Sequence, residues 1–494
     1  MKTVQSELAA SMRKNCDKTA VKRGHTQITY KELDLTTDLY AGEFLRYKQY
    51  DKVIIICDDK INTIKAMLAC LKANKIFVIL DLYAPVKRNI NIVNQIDKYF
   101  IVTDSIDKCN NIISEKVEKV IITNLENVES VRNDFCTTKI KYKADSPCYI
   151  YFTSGTTKNP KGVIGRNESL INFLLWEIRE FNITSEEVFG QLTSPSFDPF
   201  LRDILVPLIS GASIVLREND NIIFYPEKFF RWCRSNNVNV LHITPGLLNS
   251  LCCRKKEAEN EFKLLFIAGQ KIMPGYVDVW NECFDKKTLF INLYGPTEAT
   301  LAKCFYVIDR NRKYESDIPV GKPIINTRIF IIDKKGNICG KNKEGEICIE
   351  SQDLTYGYLD KTLNQGRFIN GISDSKLKMY RTGDSGYLNE NNEVVVTGRN
   401  DRQIKINGIR VELDEVEAVM LGEENIVEAA VIFNDGRLEA FYVGDAQVSG
   451  LKRYMSQYLI KSCIPVRFTQ LMYMPLNING KKDYKTLKNL NNLK

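Results

Sequence analysis

The chain has 494 residues, 44% hydrophobic and 26% charged, which is the balance of a folded globular protein and excludes a disordered or fibrous one. Its net charge of +8 is spread along the chain with no basic block interleaved with aromatics, which argues against a nucleic-acid partner. Two histidines, His25 and His242, are too few for a Ser-His-Asp hydrolase together with a multi-histidine metal centre, and fourteen cysteines without a Cys-x-x-Cys pair read as reduced, buried thiols.

The N-terminal stretch MKTVQSELAASMRKN lacks the apolar core of a leader peptide, and no later run is long enough to span a bilayer. The expectation is a cytoplasmic protein with no membrane contact. Up to about residue 300, short apolar runs alternate with amphipathic segments, the pattern of strands alternating with helices. Strands are expected at 53–57, 76–80, 99–103 and 120–123, with a helix over 61–74 whose Ile64, Met67, Leu68 and Leu71 share one face.

Residues 149–152, Tyr-Ile-Tyr-Phe, read as another buried strand that runs straight into Thr153, Ser154, Gly155, Thr156 and Thr157, closed by Pro160, Lys161 and Gly162. Such a loop suits an oxyanion: small residues let backbone N–H groups approach, hydroxyls donate and lysine supplies charge. The same residue types also make an ordinary polar turn, and the glycine spacing of a P-loop is missing, so the loop alone decides nothing. After about residue 318 the texture becomes short strands with Gly and Asn turns, at 328–333, 345–350 and 387–389. Beyond 398 come a hairpin over 403–410, a helix near 414–422, strands at 429–434 and 438–443 and a helix over 449–462, enough for a small α+β domain.

Together with that loop, four later stretches match one family in order and spacing: NLYGPTEAT (292–300), YRTGDSGYL (380–388), GRNDRQIKINGIRVELDEVE (398–417) and PLNINGKKDY (475–484). The chain thus resembles the adenylate-forming superfamily of acyl-CoA synthetases, luciferases and adenylation domains of nonribosomal peptide synthetases. The wording of the last two stretches is similar to the amino-acid-activating branch. The resemblance implies an α/β fold: a large N-terminal domain over 1–399, made of α/β subdomains plus a distorted β-barrel, and a small mobile C-terminal α+β lid over 400–494, hinged near Asp401. One departure is Lys158, followed by Asn159, where the family usually carries glycine; this lysine is expected to point to solvent.

The implied reaction has two steps: a carboxylate attacks the α-phosphorus of ATP to give an acyl-adenylate and pyrophosphate, and a thiol then takes the acyl group. Neutralising and positioning two anions needs little acid–base catalysis, so the scarcity of histidine is no obstacle. By resemblance, Thr153, Ser154, Gly155, Thr156, Thr157 and Lys161 hold the β- and γ-phosphates. Tyr294 stacks on adenine, with Asn292, Gly269 and Gly295 beside it. Thr297 touches the α-phosphate, and Glu298 is the ligand of Mg²⁺. Asp384 accepts from the ribose hydroxyls, Arg399 supports ribose or phosphate, and Asp401 marks the hinge. Lys481 bridges the two reacting anions, while Lys482 and Lys485 are expected to be solvated. Lys405 and Gly408 line the acceptor's path, where a phosphopantetheine arm needs room.

For the acid, the resemblance assigns Asp198 to the substrate ammonium, because a buried carboxylate needs a cation. Pro199, Arg202, His242, Phe266, Ala268, Leu293, Leu301 and Ala302 are the remaining pocket positions. Arg202 facing a substrate side chain suggests a second carboxylate, so an acidic amino acid of Glu or Asp type is expected; the competing reading pairs Arg202 with Asp203 or Asp198 on the outside of a helix. Thirteen residues follow Lys481 and no phosphopantetheine-bearing stretch occurs. The expectation is a free-standing adenylation enzyme, or an excised domain, that delivers to a carrier protein's phosphopantetheine in trans, or to CoA or another acceptor. The alternatives are an acyl-CoA synthetase for a small or aryl acid and a catalytically silent nucleotide-binding scaffold.

Overall fold

The apolar runs assemble into two stacked α/β sheets that share one core. A computed structural model describes residues 2–110, 122–124, 141–154, 159–252, 262–314, 317–406, 408–476 and 482–490. The first sheet has six strands, in the order Ile122–Asn124, Tyr99–Thr103, Lys52–Ile56, Ile76–Ile79, Pro147–Thr153 and Lys161–Arg166; all neighbours are parallel except the last pair. Lys52–Ile56 is buried at every position, as a central parallel strand covered on both faces must be.

The second sheet has nine strands and carries Val240–Ile243, Leu264–Ile267 and Leu289–Tyr294 side by side in parallel. Helices Val4–Lys14, Lys60–Lys72, Asn167–Glu180 and Phe200–Ser210 contribute to a single apolar cluster that also takes in both sheets. The helix expected over 61–74 is Lys60–Lys72, buried on almost all sides from Ile64 to Leu71 because it fills that interior. Asp59 caps it by accepting from the Ile61 amide.

The region after 318 forms an antiparallel sheet of Thr327–Ile332, Gly345–Ser351, Lys378–Leu388 and Phe368–Asn370, with Val394–Arg399 joining Lys378–Leu388. It is an open five-stranded sheet among the described residues, not the closed barrel that the resemblance implies. Its central strand runs eleven residues where only 387–389 reads as strand in sequence. Gly383 and Gly386 hide it, since glycine reads as a breaker; here a Cβ on Gly386 would meet the Val395 carbonyl oxygen at 2.3 Å.

The C-terminal residues fold around their own core, with the hairpin Gln403–Ile406 and Ile409–Glu412, the helix Leu413–Met420 and a sheet of Ile426–Asn434, Arg437–Gly444 and Arg467–Gln470. The helix expected over 449–462 is Val448–Met455; the amides of Gln457 and Tyr458 then turn to carbonyls three residues back, tightening the chain out of α-helical geometry. The described cysteines are free thiols, most of them buried. No helix among the described residues is long and apolar enough to cross a membrane.

Glu417 is the polar hub of this small domain. It accepts from Arg402 Nη2 at 2.7 Å, Lys482 Nζ at 2.9 Å and the Val431 amide at 2.8 Å. The Arg402 guanidinium also lies 3.8 Å from the centre of the Tyr484 ring. Lys482 is therefore not the solvated lysine expected: it donates to Glu417 and to the Ala429 carbonyl. Its neighbour Lys481 lies outside the described residues. Glu417→Ala leaves two cations and a buried amide without their acceptor, so it should destabilise the small domain by about 3 kcal/mol. Urea unfolding, with amide exchange followed in Ile426–Asn434, measures the loss.

Candidate active site

The C-terminal ends of the parallel strands and the small-domain hairpin meet at one place. Strand Leu289–Tyr294 runs out into Gly295 and Pro296 and then the single turn Thr297–Ala299. Thr300 and Leu301 follow with φ of 67° and 63°, two successive side-chain-bearing residues in the left-handed region, a costly conformation found where a site over-determines the backbone. Gly295 permits it: a Cβ there would lie 2.5 Å from the Leu301 carbonyl oxygen and 2.6 Å from Ala302 Cα. The fold-back brings Leu301 and Ala302, both expected pocket residues, to the end of the strand that carries Leu293.

Glu298, fully buried, sits at the centre. Arg410 Nη1, from the small-domain hairpin, donates to its two oxygens at 2.8 and 3.0 Å, and Tyr358 Oη donates to Oε1 at 2.6 Å. Burial pushes the Glu298 carboxyl up, but the Arg410 charge and the Tyr358 hydroxyl outweigh it and hold it below the usual range. Neither Arg410 nor Tyr358 is among the site residues expected from sequence; Arg410 lies in the matched hairpin stretch, and Tyr358 in the short stretch YGYL (356–359), which matches the family more weakly.

Asp384, the expected ribose ligand, accepts from Tyr294 Oη at 2.6 Å on one oxygen and from Arg399 Nη1 at 2.5 Å on the other. Arg399 also clamps Asp401 with Nε at 2.7 Å and Nη2 at 2.8 Å. The four expected residues are thus one hydrogen-bonded chain. Asn292 is buried and spends its amide donor on the Pro319 carbonyl at 2.8 Å. Lys161 approaches Glu412 of the hairpin at 3.8 Å, and burial lowers its ammonium's pKa. Thr153 ends the strand before the loop, and the Ser154 hydroxyl is buried without a partner among the described residues. Gly155, Thr156, Thr157 and Lys158 lie outside the described residues.

The hairpin tip enters the same cleft. A Cβ on Gly269 would lie 3.3 Å from Gly408 Cα, and one on Gly408 would meet Thr244 Cγ2 at 2.6 Å, so glycine at both positions (φ 93° and 82°) allows the backbones to touch. Burial lowers the Lys405 ammonium's pKa, and the charges of Asp384 and Asp198 oppose that shift. Asp198 itself is pushed up to about 6 by burial, with a hydrogen bond from Thr297 pulling the other way. It is a carboxylate short of a counter-charge.

Of the remaining pocket positions, Pro199 precedes the helix Phe200–Ser210, while Phe266, Leu293, Leu301 and Ala302 are buried in the large-domain core with Ala268 packed against them. Arg202 is also buried, and its partner is neither Asp203 nor Asp198. Nε donates to Glu177 Oε2 at 2.8 Å, and Nη2 lies 2.7 Å from the same oxygen. His242 joins them, with Nε2 3.1 Å from Glu177 Oε1 and Nδ1 2.6 Å from Asp203 Oδ1. Burial pushes the Glu177 carboxyl up, but Arg202 and His242 outweigh it and keep it ionised. The sequence signal for Glu177 was a lone acid on the apolar face of NFLLWEIRE, one turn from Phe173 and Leu174.

Among the described residues no three His, Cys, Asp or Glu side chains converge to hold a metal. Glu298 alone fits Mg²⁺, which is commonly held by one carboxylate and the oxygens of a bound phosphate. Open concavities elsewhere, one beside Lys322 and Asn392 and one beside Glu218 and Trp232, contain none of these residues.

The family described as AMP-binding enzyme matches residues 8–359. Gramicidin S synthase 1 of Brevibacillus brevis is 29% identical over 98% of this chain, and the chain spans 44% of that protein's length. The adenylation domain AlmE of Vibrio cholerae, solved in complex with glycyl-adenosine-5'-phosphate, superposes with a TM-score of 0.86 at 20% identity, over 99% of this chain and 98% of its own. Holo-PA1221, a nonribosomal peptide synthetase protein containing adenylation and carrier (PCP) domains, superposes with a TM-score of 0.84 at 22% identity, over 98% of this chain and 84% of its own.

Removing Arg410 leaves Glu298 buried with no cation. Arg410→Ala should release the hairpin from the large domain, raising amide exchange in Ile409–Glu412 by about a hundredfold, the equivalent of roughly 3 kcal/mol. Unchanged protection there would mean that the pair does not hold the domains together.

Proposed function

The chain belongs to the AMP-binding enzyme family, and from that premise we propose that it activates an amino acid as its aminoacyl-adenylate, with release of pyrophosphate, and passes the acyl group to a phosphopantetheine thiol on a carrier protein in trans. The observation that carries this reading is Asp198, a partly buried carboxylate that burial raises to about 6 and that has hydroxyl and lysine neighbours but no ion pair among the described residues. A substrate ammonium supplies the missing charge; a fatty or aryl acid does not.

The roles follow from the residues. Tyr294 offers its ring to adenine while its hydroxyl fixes Asp384, and Asp384 with Arg399 meets the ribose. Lys161 and the hydroxyls of Thr153 and Ser154 lie where the β- and γ-phosphates need charge and donors, and Gly155, Thr156 and Thr157 complete that loop. Thr297 holds Asp198 and reaches the α-phosphate. Glu298 would hold Mg²⁺, which when bound neutralises the phosphate oxygens. Lys481 steers the substrate carboxylate towards the α-phosphorus, in line with departing pyrophosphate. Arg410 on Glu298, with Lys405 and Gly408 in the cleft, supports a role for the hairpin in the later step, when the thiol approaches. The small domain, 400–494, swings about Asp401 between the two steps.

The carrier partner is suggested by the adenylation and carrier domains that holo-PA1221 contains. A substrate of glutamate or aspartate type is the class that Arg202 and His242 suggest by position alone. Glu177 already answers the guanidinium charge, however, which bears on the side-chain class below.

ATP–pyrophosphate exchange across the proteinogenic amino acids tests the proposal; exchange with small aryl or fatty acids alone would refute it. Asp198→Asn should lower kcat/KM for the amino acid by about a hundredfold, the worth of one desolvated charge pair. Because burial raises this carboxyl to about 6, the ionised, ammonium-binding form is lost as pH falls. KM for the amino acid should rise by about tenfold per pH unit below 6, and in Asp198→Asn that dependence should vanish. Lys481→Ala should abolish exchange yet leave ATP affinity, read by calorimetry, within about threefold of wild type.

A further inference from the structure

We propose that Glu177 sets the side-chain class of the substrate: the pocket takes an amino acid bearing an uncharged hydrogen-bond acceptor, an amide or hydroxyl, in preference to a carboxylate. The inference rests on the amino-acid reading of Asp198 and adds a residue that the pocket positions read from sequence do not include.

The argument is one of charge and of donors. Glu177 is fully buried and Arg202 is 3% exposed, so their interaction is desolvated on both sides. His242 presents both ring nitrogens to carboxylates, Glu177 and Asp203. Asp203 is fixed in turn: its other oxygen accepts from the amides of Leu192 at 3.3 Å and Thr193 at 3.0 Å and from the Gln191 side chain at 3.2 Å. The group therefore holds two carboxylates, one guanidinium and one imidazole. Arg217 and Lys60 also bear on Asp203 but are both spent on Asp220, so every described cation around the group already has its carboxylate. A substrate carboxylate would enter with none of them free to meet it.

The donors point the same way. Arg202 makes one well-aligned hydrogen bond, from Nε; Nη2 approaches Glu177 off the line of its N–H bonds and is a buried nitrogen without a hydrogen-bond partner. The guanidinium carbon lies 5.2 Å from the centre of the Phe266 ring, a wall of the pocket, and 5.5 Å from that of Phe173. An unmet donor beside a balanced charge calls for a neutral acceptor, which satisfies the N–H and adds no charge.

Matched pairs test this by ATP–pyrophosphate exchange: glutamine against glutamate and asparagine against aspartate, with serine, threonine, leucine and phenylalanine alongside. The amide member should lead its acid by at least about tenfold. Glu177→Gln removes the counter-charge and should move the acid-to-amide ratio towards the acid by at least about tenfold. Because that variant strands a buried guanidinium and can fail to fold, the double variant Glu177→Met with Arg202→Met replaces the pair by apolar side chains of similar size. It should fold and lose the preference for the amide over leucine. The inference is overturned if wild type prefers glutamate or aspartate, if leucine or phenylalanine is the best substrate, if a folded Glu177→Gln keeps the wild-type ratio, or if the double variant keeps the amide preference. Exchange led by an acid leaves the amino-acid reading of Asp198 standing, whereas ATP binding with no exchange for any amino acid overturns both.

Discussion

A carboxylate with no access to water has to be met by a cation, and the arrangement of the active cleft follows from how Glu298 satisfies that demand. Here the cation is Arg410, brought from the small domain into the large one. The hairpin that carries Arg410 also carries Lys405 and Gly408, so the same contact fixes Lys405 near Asp198 and Asp384 and lays Gly408 against Gly269 and Thr244. A divalent ion would meet Glu298 equally well. Glu298 is thus the acceptor on which the contact between the hairpin and the large domain turns.

The polar network of Glu177, Arg202, His242 and Asp203 obeys the same rule in the large domain. Its members come from two helices and a strand, and each charge is met within about 3 Å. Such a group contributes little net stability compared with apolar residues of the same shape, but breaking it is costly, so it restricts which neighbours the pocket tolerates. A second chain differs in kind: Asp384, Tyr294, Arg399 and Asp401 are linked in an open line that ends next to the small-domain hairpin.

Much of this was legible in the sequence. Strand 99–103 is found at its expected bounds, and the central helix within two residues of them, because their apolar runs are strongly periodic and sit where propensity and burial agree. Asp384 and Arg399 were legible as motif residues and lie together in space. The long strand Lys378–Leu388 was not, since its glycines are chosen for close backbone approach rather than for strand propensity. The partner of Arg202 was beyond reach too. Glu177 is 25 residues away on another helix, and pairing across that distance is a property of tertiary packing; local pattern offered only the nearer candidates, Asp198 and Asp203. Tyr358 reaches Glu298 across 60 residues for the same reason.

The turn after Leu289–Tyr294 separates shape from content. Gly295 makes room for the strained pair Thr300 and Leu301, and it does so through backbone atoms: the carbonyl of Leu301, the Cα of Ala302 and the amide of Lys303 are what a side chain at 295 would strike. The course of the backbone at the end of that strand therefore does not depend on which side chains hang from positions 301 and 302. Changes of side chain at those two positions leave the frame intact, whereas any side chain at 295 forces the backbone itself to give.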